Sequence, residues 1–285
     1  STQSRSSAAS DVYKRQFLLR WGLTFLVGLI ILVPLYWIFI SSITPSESLF
    51  QMPIQYFPKK ITFDNYVKLF TNLGVLEKTF NTLVISFAAL LGTIIFGSLA
   101  AYGFARFKTR GLNIAKAALL FSALIPGIVT ARPLYDFLKS MRLLDTLHGL
   151  SLLYTSALLP FSVLILTNFV ENIPLTIEEA AEIDGASFVQ KMFYVLFPLM
   201  RPAVATIAII NFIQCLNDLF HPLFFAGKIS TLSLGIVTVP QEFTYQVPWD
   251  LISTMGWYIV LPIVIFVMIF EKNIMDGIMA GGVKQ

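Results

Sequence analysis

The sequence predicts an all-α polytopic membrane protein with six transmembrane helices. Of its 285 residues, 56% are hydrophobic and only 13% are charged, whereas about a quarter of the residues of a soluble domain are charged. Six stretches approach the roughly 20 apolar residues that a bilayer-spanning helix needs. One Cys and two distant His, at 148 and 221, give no basis for a disulfide framework or a zinc enzyme, and we predict no metal site.

The six predicted spans follow one another along the chain with one long polar interruption. In order, they cover residues 23–40, 82–104, 117–134, 150–169, 203–225 and 251–270. Residues 1–16 are polar and Ser-rich and are predicted to be a disordered tail or tag, so the transmembrane domain is assigned to 17–285. In the second span Gly97, Ala101 and Ala105 lie four apart, which predicts a small-residue face for close helix packing.

The basic residues indicate the orientation of the chain. An even number of spans puts both termini on one side, and with that side as the cytoplasm the inner segments hold twelve of the twenty Lys and Arg. The short loop after the second span carries Arg106, Lys108 and Arg110 within five residues, and short loops are where the positive-inside rule has force. We predict cytoplasmic termini. The net charge of +4 therefore reflects membrane flanks and not a nucleic-acid partner.

The segment 171–202, between the fourth and fifth spans, is the most polar interruption of the apolar sequence. Thr176 and Glu179 have the spacing of a capping box, which predicts a first helix over 177–184. Gly185 supplies the positive φ that a sharp turn needs. The segment is predicted to project from the membrane on the cytoplasmic side.

A second short helix is predicted after this turn. Ser187 and Gln190 repeat the capping pattern. Pro198 is predicted to break the second helix where the chain re-enters the membrane.

The fifth span contains the densest set of polar groups at membrane depth. Gln214, Asn217, Asp218 and His221 recur at spacings of three and four, which places them on one face of a helix. Polar groups at depth are costly and mark functional positions. They either line a translocation path or form hydrogen bonds between helices, and the sequence leaves both interpretations open. A proton relay through Asp218 and His221 is disfavoured because further carboxylates are lacking.

The polar segment closely resembles a known motif. Glu179-Ala180-Ala181, three residues, Gly185, nine residues and then Val195-Leu196-Phe197-Pro198 is similar to the EAA loop of binding-protein-dependent ABC importer permeases. The chain departs from that pattern at Val195 and Phe197, where the family usually has Ile and Leu, and at 216–218, where Leu-Asn-Asp replaces Trp-Asn-Glu.

The resemblance covers most of the chain from about residue 30, and it is greatest to the carbohydrate-importing branch of the maltose-permease type. Its further motifs are Phe63-Asp64-Asn65-Tyr66, Asn81-Thr82-Leu83, Ile125-Pro126-Gly127, Pro133-Leu134-Tyr135, Leu144-Asp145-Thr146, Leu159-Pro160-Phe161 and the C-terminal stretch 277–284.

The resemblance implies that the polar segment is a cytoplasmic coupling loop that docks in a groove on an ATPase subunit. The residues that it would assign to coupling are Glu179, Ala180, Ala181, Asp184, Gly185 and Pro198. The two alanines would permit close approach, and Glu179 would either pair with a basic residue of the partner or cap its own helix. The polar residues 214, 217, 218 and 221 would line the substrate path.

The function that the resemblance implies is that of a permease subunit of an ATP-driven importer in the bacterial inner membrane. It would move a di- or oligosaccharide, acidic ones included, from a soluble binding protein into the cytoplasm by alternating access. Its partners would be membrane lipid, two ATPase subunits and a second permease, a related but different chain. The chain has no GxxxxGK[ST] motif, so it is expected to be no enzyme and to hold no cofactor, ATP and Mg belonging to the ATPase.

Two other functions have less support in the sequence. A secondary transporter would couple an ion through Asp218 and His221, but the large polar segment at 171–202 argues against it. A membrane enzyme would need a nucleophile with a base or a metal cluster, and the sequence suggests neither.

Overall fold

The structure, a computed structural model, describes residues 2–53, 55–240 and 247–282, and within these ranges all regular secondary structure is helical. The helices are α1 (Thr2–Ser42), α2 (Ser46–Leu49), α3 (Asp64–Thr71), α4 (Val75–Arg106), α5 (Arg110–Ser122), α6 (Gly127–Ser140), α7 (Leu147–Glu171), α8 (Leu175–Ile183), α9 (Phe188–Gln190), α10 (Phe197–Asn217), α11 (Phe220–Phe225), α12 (Leu232–Val237) and α13 (Trp249–Gly282), with a π-helical turn over Lys191–Leu196 between α9 and α10. The C-terminal motif 277–284 ends outside the described residues, at 283 and 284.

The predicted all-α membrane fold is confirmed. Five helices are long and apolar enough to cross a membrane, and a bent pair of helices raises the number to six if it counts as one span. The five are Leu19–Ser42, Val75–Arg106, Leu147–Glu171, Phe188–Asn217 and Trp249–Phe270.

The third predicted span is not one helix. Over residues 117–134 the chain forms the end of α5 and the start of α6, which are bent by 104° at a break of four residues. Pro126 stands immediately before α6 and has a φ of −59°. Because proline has no N–H and disfavours helix at the residue before it, helix α5 cannot continue through Ile125.

The segment predicted to be a disordered tail or tag is helical from Thr2 onward. Residues 2–16 belong to α1, which runs without interruption from Thr2 to Ser42. The first Gly is Gly22 and the first Pro is Pro34, so nothing in the segment stops a helix that the apolar span has nucleated. Each added residue then gains one hydrogen bond.

The chain divides into two compact units, Ser1–Thr71 with Pro240–Trp257, and Asn72–Val239 with Tyr258–Gln285. Within the first unit, the end of α1 is held by buried hydrogen bonds. The Asn65 amide donates to the carbonyls of Ser42 and Thr44, and the Thr254 hydroxyl donates to Ser42 at 3.2 Å. These bonds satisfy carbonyls at the C-terminus of a helix, which have no partner within it.

The second unit is built on the packing of α4 against α7 and α10. Gly97 lies 3.4 Å from the Leu166 side chain, measured from where its Cβ would stand, and Ala101 and Ala105 are buried in the same core cluster as Leu166. The predicted small-residue face is therefore confirmed as a packing surface. It brings α4 close enough to α7 for side chains at membrane depth to interlock.

A single carboxylate in the second unit ties two loops together. Oδ1 of Asp145 accepts backbone hydrogen bonds from Gly227, Lys228 and Ile229, at 2.8, 2.9 and 3.1 Å. Burial acts to raise the pKa of Asp145, but these three bonds and the Lys228 charge outweigh it and hold that pKa below its usual value of 3.8. Asp145 has a φ of 56°, a conformation that Asp tolerates better than most residues.

Replacing Asp145 with Ala is expected to lower the free energy of unfolding by roughly 1–3 kcal/mol, because three N–H groups lose a charged acceptor. Thermal unfolding of the purified protein would measure the loss. Asp145→Asn is the matched control: it retains an acceptor and tolerates the positive φ, and it should lose less. A depressed pKa means that the ionised carboxylate contributes its stability at neutral pH and loses it as pH falls below 3.8 through the lower folded value. Equal stability of the Ala variant and the native chain would contradict this role.

Candidate functional site

A cavity beside α7 and α10 collects all four polar residues that were predicted to share a face. The cavity has a volume of about 340 Å³ and is lined by Tyr154, Ala157, Leu158, Ile213, Gln214, Asn217, Asp218 and His221. This volume lies within the range of small-molecule sites. Two helices supply most of the walls, since Tyr154 belongs to α7 and Gln214 to α10.

The reason for the convergence differs from the prediction. The fifth predicted span, 203–225, is interrupted: α10 ends at Asn217, Asp218 has an extended ψ of 119°, and α11 begins at Phe220. The four residues therefore do not share the face of one helix. They meet because the chain turns at Asp218 and returns His221 toward the same space.

The Asp218 carboxylate forms its hydrogen bonds with residues that follow it closely in the chain. Its oxygens accept the backbone N–H groups of Phe220 and His221, at 3.1 and 3.4 Å, and also contact Nδ1 of His221. N–H groups in the first turn of a helix have no partner within the helix. Asp218 thus satisfies the start of α11 and fixes the ring of His221, which lies 4.9 Å from the ring of Tyr154 between centroids.

The groups that remain available in the cavity are neutral hydrogen-bonding groups. The Gln214 and Asn217 side chains are exposed to it, and neither has a hydrogen-bond partner within the described part of the chain. Each amide offers donors and an acceptor. Tyr154 is buried, and its hydroxyl donates at 3.4 Å to the backbone carbonyl of Asp218. The sequence did not assign Tyr154 to the site, because a single Tyr in an apolar span carries no signal of its own.

Asn211, one helical turn before Gln214, has the other role that the sequence left open. It is buried, and its amide donates to Thr93 of α4 at 3.2 Å and to Ser162 of α7 at 2.9 Å. Such bonds across three helices fix the bundle. Polar residues of α10 therefore divide into a structural group and a group that faces the cavity.

The polar segment 171–202 presents most of its predicted coupling residues to the surface. Glu179, Ala180 and Asp184 are exposed, and Ala181 is half-buried. Gly185 follows α8 with a φ of 81°, and its backbone N–H donates to the Glu182 carbonyl. The positive φ predicted for Gly185 is confirmed.

The predicted capping box at the start of the segment is wrong. α8 begins at Leu175, two residues before the predicted start, with Pro174 at the cap and no side-chain cap bond. Pro174 stands one residue before the first helical position with an extended ψ of 133°, and proline disfavours helix at the residue before it, so α8 does not begin earlier. Glu179 is thereby left without a capping role, and within the residues that the structure describes it has no hydrogen-bond or ion-pair partner.

The second capping box is confirmed, whereas the predicted break at Pro198 is wrong. Ser187 accepts from the Gln190 N–H, and the Gln190 side chain accepts from the Ser187 N–H. The chain then stays helical to Asn217, and Pro198 is half-buried near the start of α10. The π-helical turn just before it winds more widely and accommodates the proline ring without a break.

Exposed apolar side chains lie on both sides of Gly185 in the sequence. Ile183 is 87% exposed and Tyr194 is 78% exposed, and Val189 and Phe193 are exposed as well.

A cluster of buried charges beneath α8 was missed by sequence reasoning. Arg106, Glu178 and Lys191, named here the charge cluster, have side chains that are 10%, 5% and 8% exposed. Nε of Arg106 lies 2.6 Å from Glu178, and Nζ of Lys191 lies 3.5 Å from it. The three residues are far apart in the sequence, so no local pattern connects them.

Comparison with known proteins decides the family. Residues 93–278 match the family model described as the binding-protein-dependent transport system inner membrane component. The chain belongs to this family. The match includes the polar segment and the cavity residues, and it confirms the resemblance that the EAA-like sequence indicated.

Individual relatives extend the similarity over about nine-tenths of this permease. It is 32% identical to the sulfoquinovosyl glycerol transport system permease of Agrobacterium fabrum, over 92% of this chain and 93% of the relative. It is 30% identical to the trehalose transport system permease of Mycobacterium tuberculosis, over 89% of this chain and 92% of the relative. A crystal structure of a bacterial ABC transporter involved in alginate import contains a chain that matches with a TM-score of 0.76 and 22% identity, over 90% of this permease and 95% of that chain.

Proposed function

We propose that this permease is the membrane subunit of an ATP-driven importer that moves a di- or oligosaccharide, neutral or acidic, from a soluble binding protein into the cytoplasm. The observation that carries the proposal is one continuous helix, Phe188–Asn217, which joins the surface of the polar segment to the cavity. Its first residues adjoin Gly185 and the exposed coupling residues, and its last residues line the cavity. The relatives, which are named as sugar transport permeases, support the choice of substrate class.

The polar segment is proposed to dock on an ATPase subunit. Glu179 is exposed and has no hydrogen-bond or ion-pair partner within the described part of the chain. The small side chains of Ala180 and Ala181 leave space beside it for a partner backbone. The chain has no phosphate-binding GxxxxGK[ST] motif, so two separate ATPase subunits would bind ATP and Mg and hydrolyse ATP. The segment then belongs on the cytoplasmic face of a bacterial inner membrane, with both termini on that side.

The cavity is proposed to be half of the sugar path. The amides of Gln214 and Asn217 and the ring nitrogen of His221 that does not contact Asp218 can exchange hydrogen bonds with hydroxyl groups. A second permease, a related but different chain, would supply the facing half. The soluble binding protein would deliver the sugar from the outer side, and a crystal structure of a related bacterial alginate ABC transporter contains a periplasmic protein with a bound alginate pentasaccharide.

The cavity gives little support to the alternative, an ion-coupled secondary transporter. Asp218 contacts His221 directly, as a relay would require. However, its carboxylate is also bonded to the backbone at the start of α11, and no second carboxylate lines the cavity among the described residues. A relay needs a succession of ionisable groups along the path.

Replacing both Gln214 and Asn217 with Leu is expected to lower sugar uptake roughly 30-fold at a limiting sugar concentration, since two hydrogen bonds of about 1 kcal/mol each are lost. Uptake into proteoliposomes that contain the complete transporter would measure the change. Asn168→Leu is the matched control, because Asn168 is an exposed Asn of α7 outside the cavity. Native uptake by the cavity variant would mean that the cavity does not contact the sugar.

A further inference from the structure

We propose that the charge cluster, Arg106 with Glu178 and Lys191, is the connection through which α8 moves the helices that line the cavity. The proposal deepens the proposed function and rests on the docking of α8 to an ATPase subunit. The three side chains do not contact the sugar or the partner, so they are positioning residues.

Glu178 bridges two parts of the chain from the buried side of α8. Its Oε1 accepts a hydrogen bond from Nε of Arg106, the last residue of α4, at 2.6 Å. Its Oε2 lies 3.5 Å from Nζ of Lys191, the first residue of the π-helical turn. Arg106 also donates to the carbonyl of Ile173, just before α8, at 3.0 Å. The one carboxylate therefore holds α8 to both α4 and the beginning of the helix that leads into α10.

Together with Glu182, the charge cluster is electrically neutral, and each of its charged groups is paired. Lys191 also donates to Glu182 at 2.5 Å and lies 5.7 Å from the centre of the Tyr102 ring. Glu182, with a side chain that is 60% exposed, supplies the second negative charge for two cations. Buried charges are retained at low cost only when each is paired in good geometry, and α8 cannot move away from α4 without separating these pairs.

The two attachments lead to the two walls of the cavity. From Lys191 the chain is helical without a break to Gln214 and Asn217. From Arg106, helix α4 runs through the small-residue face where Gly97 packs on α7, the helix that carries Tyr154. A displacement of α8 is thus passed to α10 directly and to α7 through α4, as a rigid element transmits motion between two packed arrangements.

The first test separates coupling from assembly. The complete transporter with Glu178→Gln should show normal assembly and basal ATP hydrolysis, but about tenfold less sugar taken up per ATP hydrolysed. Lys116→Gln is the matched control: Lys116 pairs with Glu171 at 3.6 Å, and both side chains are more exposed. An assembled Glu178→Gln transporter with the native ratio of uptake to hydrolysis would overturn the proposal.

A single substitution leaves buried cations without their partner, which can prevent folding. The triple variant Arg106→Met, Glu178→Met and Lys191→Met removes all three charges and leaves only the solvated Glu182. It should assemble, and it should show the same fall in uptake per ATP. A native ratio in this variant would also contradict the proposal.

A transporter with the charge cluster intact provides a test that does not depend on whether cluster variants fold. Spin labels at Leu99→Cys on α4 and Ile183→Cys on α8 lie on exposed positions, and the lone native Cys215 is buried. The proposal predicts one narrow distance distribution that stays unchanged when a non-hydrolysable ATP analogue binds. A distance that changes on nucleotide binding would show that α8 moves independently of α4.

Failure of this proposal and failure of the proposed function give different results. If Glu179→Lys with Ala181→Asp abolishes coupled uptake while the cluster variants behave as native, docking stands and the connection runs elsewhere. If the docking variant also transports normally, the proposed coupling function of α8 is itself wrong.

Discussion

A permease with Glu179→Lys and Ala181→Asp is expected to lose at least about 99% of its coupled sugar uptake while it still inserts in the membrane. Both positions lie on α8, where Glu179 is exposed and Ala181 is half-buried. Lys at position 179 reverses the charge that faces a basic groove of the ATPase subunit. Asp at position 181 places a carboxylate where a close contact with that subunit is proposed. An uncompensated charge in a contact of this kind costs about 3 kcal/mol, a factor of roughly 100 in binding.

Uptake and ATP hydrolysis by the reconstituted transporter, together with retention of the ATPase during purification, would measure this effect. Glu171→Lys is the control, since it makes the same Glu-to-Lys change outside α8, at the exposed end of α7, where Glu171 pairs, among the described residues, only with Lys116. The expected result is loss of the ATPase subunit or loss of uptake in the double variant only. Normal uptake by the double variant would refute docking through α8.

Gly185→Pro is expected to abolish coupling by destroying the end of α8. Gly185 has a φ of 81°, whereas proline fixes φ near −65°. The substitution also removes the N–H that donates to the Glu182 carbonyl at 3.0 Å. Because both changes act on the same turn, the local cost is about 3 kcal/mol or more, and α8 can no longer be held in its docking position.

The control for Gly185 is Asn, the residue that best tolerates a left-handed conformation after Gly. A Cβ at this position would meet nothing within 4 Å, so Gly185→Asn should retain most of the uptake. Coupled uptake in both variants would show that the turn is dispensable. Loss in both variants would show that the glycine serves close approach by a partner and not the turn itself.

The fold could be predicted from the sequence wherever a helix is continuous and apolar. Hydropathy averages over about 20 residues, so it locates a span and overlooks a bend inside it. The break at Pro126 and the end of α10 at Asn217 both lie within predicted spans. A proline marks the first, whereas the second has no such signal, since Asp218 bonds to the next turn only once the chain has bent.

The polar residues of the fifth predicted span that line the cavity could be predicted from the sequence, but the ion pairs that hold α8 to its neighbours could not. The polar residues from Gln214 to His221 attract attention because polar groups at depth are rare, and the structure places them around one cavity. The charge cluster joins residues that are 72 and 13 positions apart, as counted from Glu178 to Arg106 and to Lys191. Nothing in a single sequence indicates which of many charged residues will meet across such distances.

This permease is proposed to transport sugar only when ATP is hydrolysed by partner subunits. The most direct measurement is uptake of a labelled sugar by proteoliposomes that contain the complete transporter and its loaded binding protein, compared with proteoliposomes that contain the permease alone under an imposed proton gradient. Uptake by the complete transporter that requires ATP, with none by the permease alone, is the expected result. Sugar accumulation by the permease alone, driven by the gradient without ATP, would contradict it.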